Sequence, residues 1–166
     1  MQQESNSKDR LMYLREVRNN DIPEICKLPK TREELFYCFP SAVYPLSEDT
    51  LRQSIETRSD STVVEIEGRV VAFANFYRWK DGLCSIGNVV VASDVRGAGV
   101  GRCLINHMVK LGFEKHHAKA VSVSCFNQNT AGLLFYPTLG FRPYDVEQRI
   151  DYNGNPVVLI HLRRQS

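Results

Sequence analysis

Apolar and polar residues alternate along Leu11–Val17, the two-residue period of a half-buried edge strand. Helical signals follow. Asn20 and Asp21 precede Ile22-Pro23, and a first helical turn tolerates proline, so a helix is predicted to about Leu28, closed by Pro29. Thr31-Arg-Glu-Glu34 has capping-box spacing and predicts a second, short helix. The aromatic, proline-punctuated run Phe36–Pro45 reads as a loop, after which Ser47 caps a third helix carrying Leu51 and Ile55. From Thr62 the period drops to two. Thr62–Ile66 and Val70–Arg78 form a hairpin about Glu67-Gly68, and Asp81-Gly82 turns into a third strand through Ala92. Val100–Lys115 is a long helix with Val100, Leu104, Met108 and Leu111 on one face and Cys103 packed among them. Ala120–Cys125 is a strand, and Gln128–Tyr136 is a helix stopped by Pro137. Phe141–Ile150 and Pro156–Leu162 pair around Asn153-Gly154, a strong hairpin turn.

The order β–α–α–α–β–β–β–α–β–α–β–β describes an α+β chain with a mixed sheet. The chain has 166 residues. That length suits one domain, 11–166, behind a frayed tail, 1–10, and buries roughly two thirds of the unfolded surface. A net charge of +2 and no dense basic run argue against a nucleic-acid partner. The polar N-terminus lacks a signal-peptide core, and no apolar run approaches the roughly 18 residues of a membrane span, so a cytoplasmic protein is expected. Five cysteines without Cys-x-x-Cys spacing, and His116-His117 without a partner cluster, predict reduced thiols and no metal site.

The chemistry concentrates between Asn88 and Gly101. An apolar strand passes through a polar elbow into Arg96-Gly-Ala-Gly-Val-Gly101. A glycine-rich turn at a helix start leaves backbone N–H groups free beside the positive end of the helix dipole, which suits a pyrophosphate. A P-loop is excluded because Arg102 and Cys103 follow Gly101 in place of lysine and a hydroxyl. A dinucleotide fingerprint is excluded because its third glycine falls on Leu104 or Arg102. What fits is Arg-x-x-Gly-x-Gly, at Arg96, Gly99 and Gly101.

This pattern resembles the acyl-CoA-binding motif of the GNAT N-acetyltransferase superfamily. A second block is similar to the family's later motif: Asn129, Tyr136, Gly140 and Phe141 stand at matching positions, with Gly132 in place of the usual alanine and Phe135 in place of leucine. The resemblance covers about residues 11–163, and Glu34–Pro40 looks like a bacterial subgroup whose acceptors include lysine-bearing peptides. It implies the acyl-CoA N-acyltransferase fold, a mostly antiparallel, splayed sheet flanked by helices. It also implies an acetyl-CoA-dependent N-acetyltransferase in which the thioester is attacked directly by a primary amine.

On this reading the amides of Arg96, Gly97, Ala98, Gly99, Val100 and Gly101 hold the pyrophosphate. The main chain of Val89, Val90 and Val91 pairs with the pantetheine amides, as an added strand would, while also serving as a buried strand. Tyr136 is the general acid for the thiolate, or else packs as an aromatic before Pro137. Asn129 contacts the pantetheine arm or caps its helix. The strand before the elbow holds no carboxylate, although many relatives carry a glutamate there, and Glu65 and Glu67 read as solvated hairpin charges. The amine proton is therefore expected to leave through water, backbone carbonyls and groups such as Asn88 or Ser124. Phe36, Tyr37, Phe39, Tyr44 and Phe76 are acceptor-site candidates, each equally readable as core. Cys125 reads as structural. Acetyl-CoA and an amine are the expected partners, with monomer and homodimer both open. A non-catalytic acyl-CoA sensor or interaction module, and a protein N-terminal acetyltransferase, remain alternatives.

Overall fold

The computed structural model describes residues 10–166; most of the expected tail, 1–10, lies outside the described residues. The strands are β1 (Met12–Glu16), β2 (Ser59–Ile66), β3 (Arg69–Lys80), β4 (Leu83–Val91), β5 (Ala120–Phe126), β6 (Arg142–Ile150) and β7 (Pro156–Gln165). The α-helices are α1 (Ile22–Cys26), α2 (Arg32–Cys38), α3 (Glu48–Thr57), α4 (Val100–Glu114) and α5 (Thr130–Thr138). One seven-stranded sheet runs β1-β2-β3-β4-β5-β7-β6. Neighbours are antiparallel except β4 and β5, which are parallel.

The caps act as the local rules dictate. Thr31 Oγ1 accepts from the Glu34 N–H and Ser47 Oγ from the Thr50 N–H, each satisfying an orphan donor of its helix. Helix α2 runs further than the aromatic pattern suggested. Phe36–Cys38 is helical, not loop, because the turn buries Leu35, Phe36 and Cys38 before Pro40 stops it. Pro137 lies inside the last turn of α5 instead of ending it. The chain leaves α5 by a Schellman turn: Phe141 N–H donates to the Tyr136 carbonyl, Gly140 N–H donates to the Pro137 carbonyl, and Gly140 takes φ +87°.

Successive side chains on β5 point to opposite faces. Val121 and Cys125 meet α4 and α5 at Gly112 and Gly132, whereas Phe126 stacks on Phe36 of α2, centroids 4.4 Å apart, on the other face. The main core lies between the sheet and its helices, with Phe73, Phe76, Leu104, Met108 and Phe141 fully buried. Phe36, Phe126 and Val157 form a separate small cluster. Among the described residues no helix is long and apolar enough to cross a membrane.

Candidate active site

The site begins where the sheet opens. β4 and β5 pair only from Leu83–Ser85 against Ala120–Ser122, closed by a Ser85–Ser122 hydroxyl contact of 2.7 Å. Beyond Ser85, β4 keeps β3 as its neighbour, and among the described residues its other edge has no strand. Asn88 and Val89 are bulged: Phe73 pairs with Val90 and Asn75 with Gly87, so one residue of β3 faces two of β4. Asn88 takes φ +52° there, a left-handed conformation that asparagine tolerates. Its amide is held on three sides. Oδ1 accepts from Ser54 Oγ at 2.5 Å and Asn75 Nδ2 at 3.2 Å, and Nδ2 donates to the Cys38 carbonyl at 2.8 Å. The side chain thus fixes the bulge against α2 and α3.

The glycine turn follows. Ser93–Val95 form a 3-10 turn, and Gly99, at φ +86°, is the N-cap of α4. Unlike Thr31, Ser47 and Asn129, Gly99 has no side chain to satisfy the first amides of its helix, which remain free toward solvent or a ligand. Ala98 departs from the expected set, because its N–H donates to the Val95 carbonyl at 3.3 Å. A Cβ on Gly97 or Gly99 would meet nothing within 4 Å, so the space over the turn is open. Arg96 leans back across the strand end. Its guanidinium reaches the Val91 carbonyl and Glu34 of α2, each at 3.3 Å.

Tyr136 projects from α5 with its ring edge-on to Phe141, centroids 6.0 Å apart. Its residue is 8% exposed. Among the described residues its hydroxyl makes no hydrogen bond, yet it is not fully enclosed, since Ser61 Oγ alone is both fully buried and unpartnered. Burial holds the phenol well above its ordinary pKa, with the neighbouring Cys125 and Cys38 thiols acting in the same direction. Asn129 caps α5, Oδ1 accepting from the Gly132 N–H at 3.1 Å.

The candidate acceptor residues divide. Phe39 and Tyr44 line a cavity of 650 Å³ that reaches Asn88. Phe36 and Tyr37 line a smaller cleft of 210 Å³ with Glu33 and Asp151. Phe76 lines neither. It is fully buried, edge-on to His116 at 5.7 Å, because the β3 face it occupies is covered. Glu65 is bound to Arg15 at 2.8 Å, in the β1–β2 pair remote from the splay.

The profile of the acetyltransferase (GNAT) family matches residues 28–141, more than half of the chain. The chain belongs to this family. No curated protein matches it by sequence. Its fold is similar to that of the ribosomal-protein-S18-alanine N-acetyltransferase of Escherichia coli, at 18% identity and TM-score 0.73, covering 93% of this chain and 94% of that one. It is also similar to the spermidine N-acetyltransferase of Vibrio cholerae, solved with CoA and spermine, at 17% identity and TM-score 0.77, covering 93% and 95%. A third similar structure, from Salmonella typhimurium, holds its cofactor acetyl-CoA, at 18% identity and TM-score 0.73, covering 93% of each chain. The predicted α+β fold and N-acetyltransferase class agree with this family.

Two residues of this acetyltransferase escaped the sequence reading. His161 on β7 bridges Ser124 Oγ, 2.7 Å from Nδ1, and Glu147 Oε2, 3.1 Å from Nε2. Ser124 shares the α2 face of β5 with Phe126, just past the last residue that pairs with β4. Arg58, at the end of α3, lines the larger cavity. No short-range motif marks either residue; each acquires its place through pairing across the sheet.

Proposed function

We propose that this protein transfers the acetyl group of acetyl-CoA to the primary amine of a small molecule or a lysine-bearing peptide, by direct attack at the splay between β4 and β5. The observation that carries the reading is the open β4 edge running into a glycine-capped helix with free amides; a tyrosine on α5 whose hydroxyl has no hydrogen-bond partner among the described residues supports it. The residues fit the donor. Amides of Gly97, Gly99, Val100 and Gly101, with Arg96, would hold the pyrophosphate, and Arg102 contributes a further first-turn amide. The main chain of Val89–Val91 would pair with the pantetheine amides, and a strand N–H near Val89 would face the thioester oxygen.

An amine with pKa about 10.4 is neutral in roughly one molecule per thousand at pH 7.4, so the site must accept a proton before or during attack. No carboxylate stands on β4. The proton is taken up through water by way of Ser124 and His161, with Asn88 holding the bulge in place. The departing thiolate takes its proton from Tyr136, whose phenol is protonated at neutral pH. The tyrosine is then reprotonated from solvent.

The test is free-CoA release from acetyl-CoA over a panel of amines, comparing the natural chain with Tyr136→Phe. Acceptor-dependent release that falls at least about tenfold in the variant, with donor binding unchanged, supports the reading. Acetyl-CoA binding without turnover on any amine would favour a non-catalytic sensor.

A further inference from the structure

Among the described residues no carboxylate lies within salt-bridge distance of Arg58. It is half-buried, whereas Arg18, Arg32, Arg78, Arg102, Arg142 and Arg163, which also lack an ion-pair partner there, are exposed. Its guanidinium sits over the Tyr77 ring, 5.5 Å from the centroid. It also lies against the backbone of Gly87, where an added Cβ would come within 2.7 Å of Nη1. One Nη1–H donates to Asn75 Oδ1 at 3.3 Å, which leaves most of its five donors unspent. Burial disfavours the charged form of this group and pulls its pKa down. A half-buried guanidinium lodged beside an aromatic ring and a glycine, with donors to spare, is a preorganised anion receptor.

Its surroundings say which anion. Among the described residues Arg58 is the one charged side chain lining the 650 Å³ cavity; the rest of the wall is apolar or carries neutral polar groups, Gln53, Ser54 and Asn88 among them. Nothing there would balance a second positive charge on an acceptor. Gly87, on which Arg58 rests, is the residue before the Asn88 bulge, so the cavity and the open edge of β4 share one segment. We infer that Arg58 binds a carboxylate on the acceptor, which makes the substrate class a primary amine that also carries a carboxylate, as an amino acid does. This rests on the acetyl-transfer reading above and narrows it. The smaller cleft beside Glu33 and Asp151 is where a polycation would go instead.

The experiment measures free-CoA release with acceptor pairs that differ at the carboxylate, free amino acids against their carboxamides compared per neutral amine, with spermidine as a cationic arm. Arg58→Gln and Arg58→Lys are compared with the natural chain, and acetyl-CoA binding is followed by calorimetry. The natural chain should prefer the carboxylate member at least about tenfold in kcat/KM. Arg58→Gln should lower that member about tenfold to a hundredfold, the worth of a charge-assisted hydrogen bond, and change the carboxamide less than about threefold. Arg58→Lys should fall between. Equal or better turnover of carboxamides or spermidine by the natural chain overturns the inference alone, even if Arg58→Gln fails to fold. Equal slowing of both members of a pair by Arg58→Gln assigns Arg58 a structural role and also overturns it. Acetyl-CoA binding with no amine turned over overturns the acetyl-transfer reading, and this inference with it.

Discussion

The Cys125 sulfur occupies the place where a methyl group on Gly132 would stand, 2.7 Å from the position of that Cβ. The family's later motif usually has alanine there, and this chain has exchanged the alanine methyl for a thiol from β5. Gly132→Ala should gain helix propensity, about 1 kcal/mol, and lose more to overpacking, about 1–3 kcal/mol, because Cys125 is buried. Thermal unfolding should show a net destabilisation. Adding Cys125→Ala should recover about 1 kcal/mol of it through the coupling of two touching sites. Strict additivity of the two substitutions would rule out this exchange.

The locally specified parts of the chain could be read from the sequence. The Glu67-Gly68 hairpin, the Thr31 and Ser47 caps and the glycine turn depend on neighbours only a few residues away. The end of α2 was obscured because the aromatics at Phe36 and Tyr37 and the proline at Pro40 imitate a loop, whereas burial on the far face of β5 holds the turn. Pro137 looked like a stop because the Schellman turn after it, which ends α5, involves the chain beyond the proline. Phe76 and Phe39 are alike in sequence. Both belong to the main core, but Phe39, at the end of α2, also borders the larger cavity, whereas Phe76, on β3, does not. The contacts of Arg58 with Asn75 and Gly87, and of His161 with Ser124, are made across the fold between residues far apart in sequence, so no local pattern marks them.

Gly99 tests the donor turn. Its φ of +86° costs an L-residue roughly 1–2 kcal/mol, while the space for a Cβ is open. Gly99→Ala should therefore destabilise by about that amount and weaken acetyl-CoA binding about tenfold or more, as seen by calorimetry. Gly99→Asn should lose less stability, since asparagine visits the left-handed region. Unchanged donor affinity in both variants would remove the turn from the donor site.

Burial raises the thiols as well as the phenol: Cys125 is pushed up to about 11 and Cys38 up to about 12. The unfolded value is about 8.5, so the folded state binds these protons more tightly. The resulting stability is complete below about pH 8.5 and is lost as pH rises through the folded values. Urea midpoints should hold steady to about pH 8.5 and then fall progressively toward pH 11. Cys38→Ser should flatten that fall whatever it does to stability at neutral pH. An identical alkaline slope in the variant would exclude Cys38 as its source.

On the proposed reaction, His161 would join two strands to one proton path. Its ring spans from Ser124, at the mouth of the splay, to Glu147 on the exposed face of β6. Deprotonating the attacking amine needs an outlet, and β4 supplies no carboxylate for it. His161→Gln keeps a polar group of similar reach but cannot carry a proton between its two ends. It should lower kcat by about ten- to a hundredfold, the usual worth of an acid–base group, with the KM for acetyl-CoA unchanged. Ser124→Ala should lower kcat in the same direction, and the double variant should be little worse than either single one, because the two residues act as a unit. The rate lost in His161→Gln should be partly restored by added imidazole. A merely structural histidine would give a variant that no external base rescues, and that outcome would show that the proton leaves by another route.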